Sequence, residues 1–288
     1  MTAKKANAPG SNIFERSEIK YLVNDFQRAA LLSAMKNILE PDPHGESTIC
    51  NIYYDTHDFR LIRRSLEKPV YKEKLRIRSY GPASEDQKIF LELKKKYKGV
   101  VYKRRISLPL KEAEAFLAGK TSLADNDESY SKRQIGRELE YFRDFYGTLE
   151  PAVHLCYDRS AYFSKDDPNF RITFDRNIRW ETENLSLTAE PAGQQILPAG
   201  QSIMEIKVAG SLPLEVVRIL ERLHIRKVSL SKYGRAYETM LADPESRAYE
   251  STRNIRLFPV CAPEEKGLTA AQGGAEPAGR RRRKIFSA

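Results

Sequence analysis

The sequence predicts an α+β fold built on a large antiparallel sheet or barrel. Three observations carry that expectation. Eight segments alternate with period two, roughly 14–22, 48–55, 72–80, 88–96, 100–108, 152–162, 170–179 and 201–208, the pattern of strands with two chemically different faces. Segments with apolar residues at helical spacing lie between them. Within one strand after another, Lys and Arg collect on the polar face.

Taken in order, the first strand places Arg16, Glu18 and Lys20 on one face and Ile19, Tyr21 and Val23 on the other. A helix is expected over 24–39, where Asn24 supplies the cap. The third strand, "KEKLRIRSY" at 72–80, puts Lys72, Lys74, Arg76 and Arg78 on one face. The fourth sets Glu92, Lys94 and Lys96 opposite Ile89, Leu91 and Leu93. Lys98-Gly99 reads as a hairpin into the fifth, where Lys103 and Arg105 share a face with Ser107 and Arg104 breaks the pattern. Helices follow over 110–118 and 131–146. In the last three strands, Tyr157 and Arg159 alternate with Cys156 and Asp158, Arg171 and Asp175 oppose Ile172 and Phe174, and Glu205 and Lys207 oppose Met204 and Ile206. A helix over 213–223 carries Pro213 in its first turn.

An antiparallel sheet with one wet face accounts for any single strand. It accounts less well for the set, because like charges on neighbouring strands repel. A closed barrel, charged inside and apolar outside with helices on its outer wall, explains both faces. Its lumen would hold a string of phosphates.

The whole chain, 288 residues, is long enough for a real core. Its 49 Lys and Arg against 39 Asp and Glu, net +10, favour a polyanionic partner. Cys50, Cys156 and Cys261 lie far apart, which fits reduced thiols in a cytoplasmic protein better than a disulfide framework or a zinc site. The scattered His44, His57, His154 and His224 show no ligand spacing, and Trp180 reads as packing. No P-loop or dinucleotide fingerprint is present, and no stretch approaches the length of a membrane-spanning helix. Residues 1–12 read as a disordered lead-in, 13–245 as one domain, and 246–288 as a largely disordered extension. The basic cluster "RRRRK" at 280–284 would suit anionic lipid, nucleic acid or polyphosphate, or be a solvated end without a defined role. The chain is expected to be cytoplasmic, with peripheral membrane association through that tail as a second expectation.

A set of short motifs then comes in a characteristic order: "ERSEIKYLV", "YYDTHDFRLI", "LRIRSYG", "FLELKKK" followed by "VVYKRRI", "YDRSAYF", "ITFDRNI", "IMEIKV" and "SLSKYGRAY". Over about residues 13–240 this resembles the VTC domain, the polyphosphate polymerase domain of the vacuolar transporter chaperone complex and its bacterial relatives. That domain belongs with the triphosphate tunnel metalloenzymes, akin to CYTH domains. The resemblance implies an eight-stranded antiparallel tunnel with a charged lumen and helices packed outside. It implies that Lys20, Arg76, Arg78, Lys94, Lys103, Arg159 and Lys232 grip phosphates, and that Glu205 holds Mn²⁺ or Mg²⁺. Arg171 and Lys207 join the wall by parity alone. ATP and inorganic polyphosphate would be the partners, with no nucleic acid, and the γ-phosphoryl group would move onto a growing chain. One departure bears on the reaction: where the wider family carries E-x-E-x-K, this chain has Arg16 at the first Glu position. Few acids (Glu18, Glu92, Asp175, Glu205) line the expected tunnel. That shifts the expectation from a metal-dependent tri- or polyphosphatase towards a polymerase, with a non-catalytic polyphosphate-binding module as a further alternative.

Overall fold

The computed structural model describes residues 16–43, 45–98, 100–123 and 130–242. The lead-in 1–12, the extension 246–288 with its basic cluster, Cys261 and His44 lie outside the described residues.

The chain runs β1 (Arg16–Asn24), α1 (Asp25–Ala34), β2 (Leu39–Pro41), β3 (Ser47–Asp55), α2 (Arg60–Leu66), β4 (Tyr71–Tyr80), β5 (Lys88–Tyr97) and β6 (Val100–Pro109). It continues with α3 (Leu110–Leu117), α4 (Tyr130–Tyr146), β7 (Glu150–Ser164), β8 (Arg171–Glu181), β9 (Gln194–Gln195), β10 (Gln201–Ala209), α5 (Leu214–Arg222), β11 (Lys227–Val228) and α6 (Lys232–Ala242). Each alternating segment of the sequence becomes one long strand. Asn24 caps α1 through a capping box, its Oδ1 accepting from the Gln27 N–H at 2.8 Å while Gln27 Oε1 accepts from the Asn24 N–H at 3.1 Å. That helix stops at Ala34, short of the expected 39, because Leu39–Pro41 leaves it to pair with β7. Pro213 sits at the N-cap of α5, one residue before the first turn.

All pairings are antiparallel, in the order β11-β1-β10-β8-β7-β3-β4-β5-β6, with β2 on β7 and β9 on β8. Two expectations are corrected here. The sheet has eleven strands, not eight, since β2, β9 and β11 add two- or three-residue pieces too short to show alternation. Nor does the sheet close into a barrel: among the described residues β6 pairs only with β5. It is a curled trough. Its curvature brings Lys94 Nζ of β5 within 3.6 Å of Glu18 Oε2 of β1, although β10, β8, β7, β3 and β4 separate the two strands in the ladder. The turn before α6 bridges the same gap, for Lys20 Nζ of β1 donates to Leu230 O at 3.3 Å and Lys74 Nζ of β4 to Ser231 Oγ at 2.7 Å.

The apolar faces point outward and are covered as expected. α3 and α4 pack Phe116, Leu117, Leu139 and Phe142 on Leu75, Ile77, Leu91 and Leu93. α1 and α5 pack Leu31, Val216 and Ile219 on Ile172, Phe174, Met204 and Ile206. Not all helices lie outside, however. Ile62 of α2 and Tyr233, Ala236, Tyr237 and Met240 of α6 pack on Tyr53, Leu155, Tyr157 and Ile203. Those strand residues share parity with Asn51, Arg159 and Glu205, so α2 and α6 fill one end of the polar concavity. Trp180 is buried in this cluster.

A second rearrangement concerns the cysteines. Pairing of β3 with β7 sets Cys50 directly opposite Cys156, and His154 Nε2 lies 3.0 Å from Cys156 Sγ. Residues about a hundred positions apart in sequence thus meet on the outward face, which spacing could not reveal.

Candidate functional site: a basic trough

Register builds the trough. Across β4, β5 and β6, Lys74 faces Lys94 and Lys94 faces Lys103, an all-lysine row. The neighbouring row is Arg76, Glu92, Arg105. Glu92 is 1% exposed and accepts from Arg76 Nε at 2.8 Å and Nη2 at 2.7 Å, from Lys103 Nζ at 2.7 Å and from Arg105 Nε at 2.6 Å. Burial pushes its carboxyl pKa up, but Arg76, Arg78 and Lys103 outweigh burial and hold it well below the usual carboxylate range. Arg78 is fixed otherwise, donating to Asn51 Oδ1 at 2.9 Å and to Tyr157 Oη at 3.2 Å. Arg76 also donates to Tyr53 Oη at 2.9 Å.

Across the trough, Arg159 forks onto Asp175, Nε to Oδ1 at 2.6 Å and Nη2 to Oδ2 at 2.7 Å. Lys232, at the start of α6, also binds Asp175 Oδ2. Glu205 stands among cations, with Lys20 at 3.2 Å, Lys232 at 3.8 Å and Arg159 at 3.9 Å. Burial raises its carboxyl, yet Lys232, Lys20 and Arg159 hold it well below the usual range, so Glu205 is an ionised oxygen donor. For Glu18, burial and Glu205 act upward, but Lys94, Lys20 and Lys207 prevail and the carboxyl is lowered.

The lysines divide by their surroundings. Burial, then Lys72, Lys20, Lys94 and Arg76, push Lys74 down to about 7. Burial pushes Lys103 down to about 8 against the pull of Glu92. Lys20 moves the other way, since Glu205 and Glu18 outweigh its burial.

The expected residues are therefore largely brought together: Lys20, Arg76, Arg78, Lys94, Lys103, Arg159, Lys232 and Glu205 line one concavity. Lys207 lies among them, opposite Glu18 on β1, and burial lowers its pKa. Arg171 shares the face but sits at the rim, with Nη2 3.3 Å from Asp42 Oδ2 and its guanidinium over the Phe163 ring. Sequence reasoning did not assign Lys74 or Arg105 to the site, although parity with Arg76 and Lys103 marks both. It placed Tyr157 on the Arg159 face by parity without giving it a role, and it had no signal for Asn51, Tyr53 or Ser231; all four position the cations.

Two features fit Glu205 to a hard divalent ion. It is ionised, and Thr173, its β8 neighbour in register, has a buried hydroxyl without a hydrogen-bond partner. An oxygen donor set of this kind suits Mg²⁺ or Mn²⁺. Lys20, Lys232 and Arg159 around Glu205 oppose a bare divalent ion there.

Comparison with known proteins gives the family. The VTC domain profile matches residues 15–241. Subunit 4 of the vacuolar transporter chaperone complex from Trypanosoma cruzi is 23% identical over 222 residues, and that from Trypanosoma brucei brucei is 26% identical over 220. These alignments cover 63% and 62% of this chain, which spans only 27% of either relative. Among solved structures, a candidate adenylate cyclase from Vibrio parahaemolyticus is 17% identical with a TM-score of 0.44, covering 79% of this chain and 99% of that one. A Hippeastrum protein described as a candidate adenylyl cyclase with a dominant triphosphatase activity is 18% identical with a TM-score of 0.43, covering 75% of this chain and 92% of that one. With most of its length matched by that profile, the chain belongs to the VTC domain family.

Proposed function

We propose that this protein is a metal-dependent polyphosphate polymerase, moving the γ-phosphoryl group of ATP onto a growing polyphosphate chain along the basic trough. One observation carries the reading: the all-lysine row Lys74–Lys94–Lys103 lies beside Arg76 and Arg78, and the four carboxylates of the trough are already held in ion pairs. Such a surface repels itself when empty and is relieved by a polyanion.

Phosphoryl transfer needs charge neutralisation and in-line alignment more than a protein nucleophile. Arg76, Arg78 and Arg159, whose Nε and Nη2 are held by Glu92, by Asn51 and Tyr157, and by Asp175, would offer their remaining guanidinium N–H groups and charge to phosphate oxygens, while Lys20, Lys94, Lys103 and Lys232 act as point charges. The acceptor is a phosphate oxygen, already anionic, so no general base is required. Glu205, with Thr173 beside it, would hold Mg²⁺ or Mn²⁺, which supplies charge neutralisation on phosphate oxygens when bound. The burial of Glu92 and Asp175 in hydrogen-bonded ion pairs favours transfer over hydrolysis, because neither is left to orient water.

No helix among the described residues is long and apolar enough to cross a membrane. A relative named as a subunit of a vacuolar transporter chaperone complex supports association of this chain with a larger complex.

The test is incubation of the purified protein with γ-labelled ATP and Mn²⁺ or Mg²⁺, with products separated on a gel. Label in a ladder of long chains, with ADP released, is expected. Label only in orthophosphate would make the protein a hydrolase, and tight polyphosphate binding without turnover would make it a binding module.

A further inference from the structure

On the outward face of the sheet, behind the trough, two thiols and an imidazole converge. Cys50 on β3 and Cys156 on β7 are 0% and 2% exposed, and His154 is 1% exposed. One donor atom from each, Cys50 Sγ, Cys156 Sγ and an imidazole nitrogen of His154, lies within 4.8 Å of the others. The other imidazole nitrogen, Nδ1, is 3.1 Å from Glu181 Oε1 on β8. A carboxylate there accepts the Nδ1–H, which leaves the Nε2 lone pair turned towards the sulfurs. A metal-binding histidine is commonly oriented in this way.

We infer that Cys50, Cys156 and His154 form a structural binding site for a thiophilic divalent ion, Zn²⁺, with Glu181 as the residue that positions His154. The size fits. Zinc bonds of about 2.0–2.3 Å to nitrogen and sulfur set tetrahedral ligands roughly 3.3–3.8 Å apart. So does the charge. Binding one Zn²⁺ releases one proton from each thiol, and two thiolates with a neutral imidazole give an uncharged buried cluster, flanked by Arg179 in register with Cys156 and by Glu181 on His154. A water supplies the fourth ligand. Soft sulfur donors also separate this site from the oxygen donors of the trough, which suit Mg²⁺ or Mn²⁺.

The position gives the ion a role. Cys50 adjoins Asn51, and Cys156 adjoins Tyr157, the two residues that hold Arg78 from the opposite face. An ion tying β3 to β7 at this point stiffens the wall that fixes Arg78. This inference does not depend on which reaction the trough performs.

The test uses the full chain purified under reducing conditions from zinc-containing medium, with metal content measured by mass spectrometry. About one zinc per chain is expected, lost in Cys50→Ser. Chelator-stripped wild-type protein titrated with Co²⁺ should show thiolate-to-cobalt charge transfer and the d–d bands of a tetrahedral ion, saturating at one equivalent. Should Cys50→Ser fail to fold, Glu181→Gln provides the second variant, with cobalt affinity about 10–100-fold weaker than wild type. A reduced wild-type protein without zinc and without a cobalt spectrum would overturn the inference. So would zinc content unchanged in folded Cys50→Ser, or cobalt affinity unchanged in Glu181→Gln. Thiol titration showing that Cys50 and Cys156 form a disulfide, with no metal bound after its reduction, would also overturn it.

Discussion

Lys74 occupies the most adverse electrostatic position in the trough. Its pKa in the fold is about 7, against roughly 10.4 for a free lysine. The protonated form is therefore penalised in the empty protein. That cost is complete below pH 7 and fades as pH rises towards 10, so this group makes stability increase with pH across that window. A bound polyanion reverses the penalty and draws a proton onto Lys74, and onto Lys103, which sits near 8. Polyphosphate binding at pH 8–9 should thus take up protons, detected by calorimetry in buffers of different ionisation heat. Lys74→Met should reduce the uptake, and binding with no proton exchange in the wild type would contradict it. Two other residues should separate binding from turnover. Glu205→Gln is expected to abolish metal-dependent turnover while polyphosphate still binds, whereas Arg76→Ala should weaken binding itself by about 1–3 kcal/mol. Titration of polyphosphate onto each variant, alongside the labelled-ATP gel, distinguishes the two effects. Full activity in Glu205→Gln would remove the metal from that residue. Parity along β4 and β6 made Lys74 and Arg105 legible as members of the face, but only packing revealed how unlike their surroundings are.

α6 is the element on which the trough depends most and which the sequence shows least. Ser231 Oγ accepts from the Gly234 N–H at 3.1 Å, the bond of an N-cap, and also from Lys74 Nζ. The same hydroxyl starts the helix and holds a trough lysine. Gly234 lets α6 approach α2: a Cβ there would stand 3.0 Å from Leu66 Cδ2 and 3.2 Å from Ser231 Cβ. Gly234→Val should overpack this contact by about 1–3 kcal/mol and shift Lys232 away from Asp175. Urea unfolding should record the first effect and weaker polyphosphate binding the second. An unchanged affinity would mean that α6 does not position Lys232. The long strands were legible because alternation over nine or more residues is a strong signal. α1, α3, α4 and α5 showed their apolar stripes. α2 spans only Arg60–Leu66, and α6 carries Gly234 and polar residues among its tyrosines, so neither declared itself.

At the scale of the molecule, opposing demands meet: an apolar exterior needs covering, and a cationic interior needs an anion. Empty, the trough keeps like charges in register on adjacent strands, a cost that ligand binding lifts. Polyphosphate at about a hundredfold excess over Kd should stabilise the fold by about 2.7 kcal/mol, raising the melting midpoint by roughly 5–11 °C for a domain of this size. The shift should shrink as salt rises from about 0.05 M to about 0.5 M, because screening competes with the trough for the polyanion. A salt-independent shift would place binding elsewhere. The sequence by itself determined which side chains share a face, because period two along a strand is a local property that needs no partner. It therefore determined the eight long strands and the cationic lining, while Glu205 entered as metal candidate through the resemblance to the VTC domain. Only the tertiary structure decided that the ladder stays open between its end strands β6 and β11, that α2 and α6 fill one end of the concavity, and that Cys50, His154 and Cys156 meet. Each of those depends on register and curvature between segments far apart in the chain, which one strand's alternation does not encode.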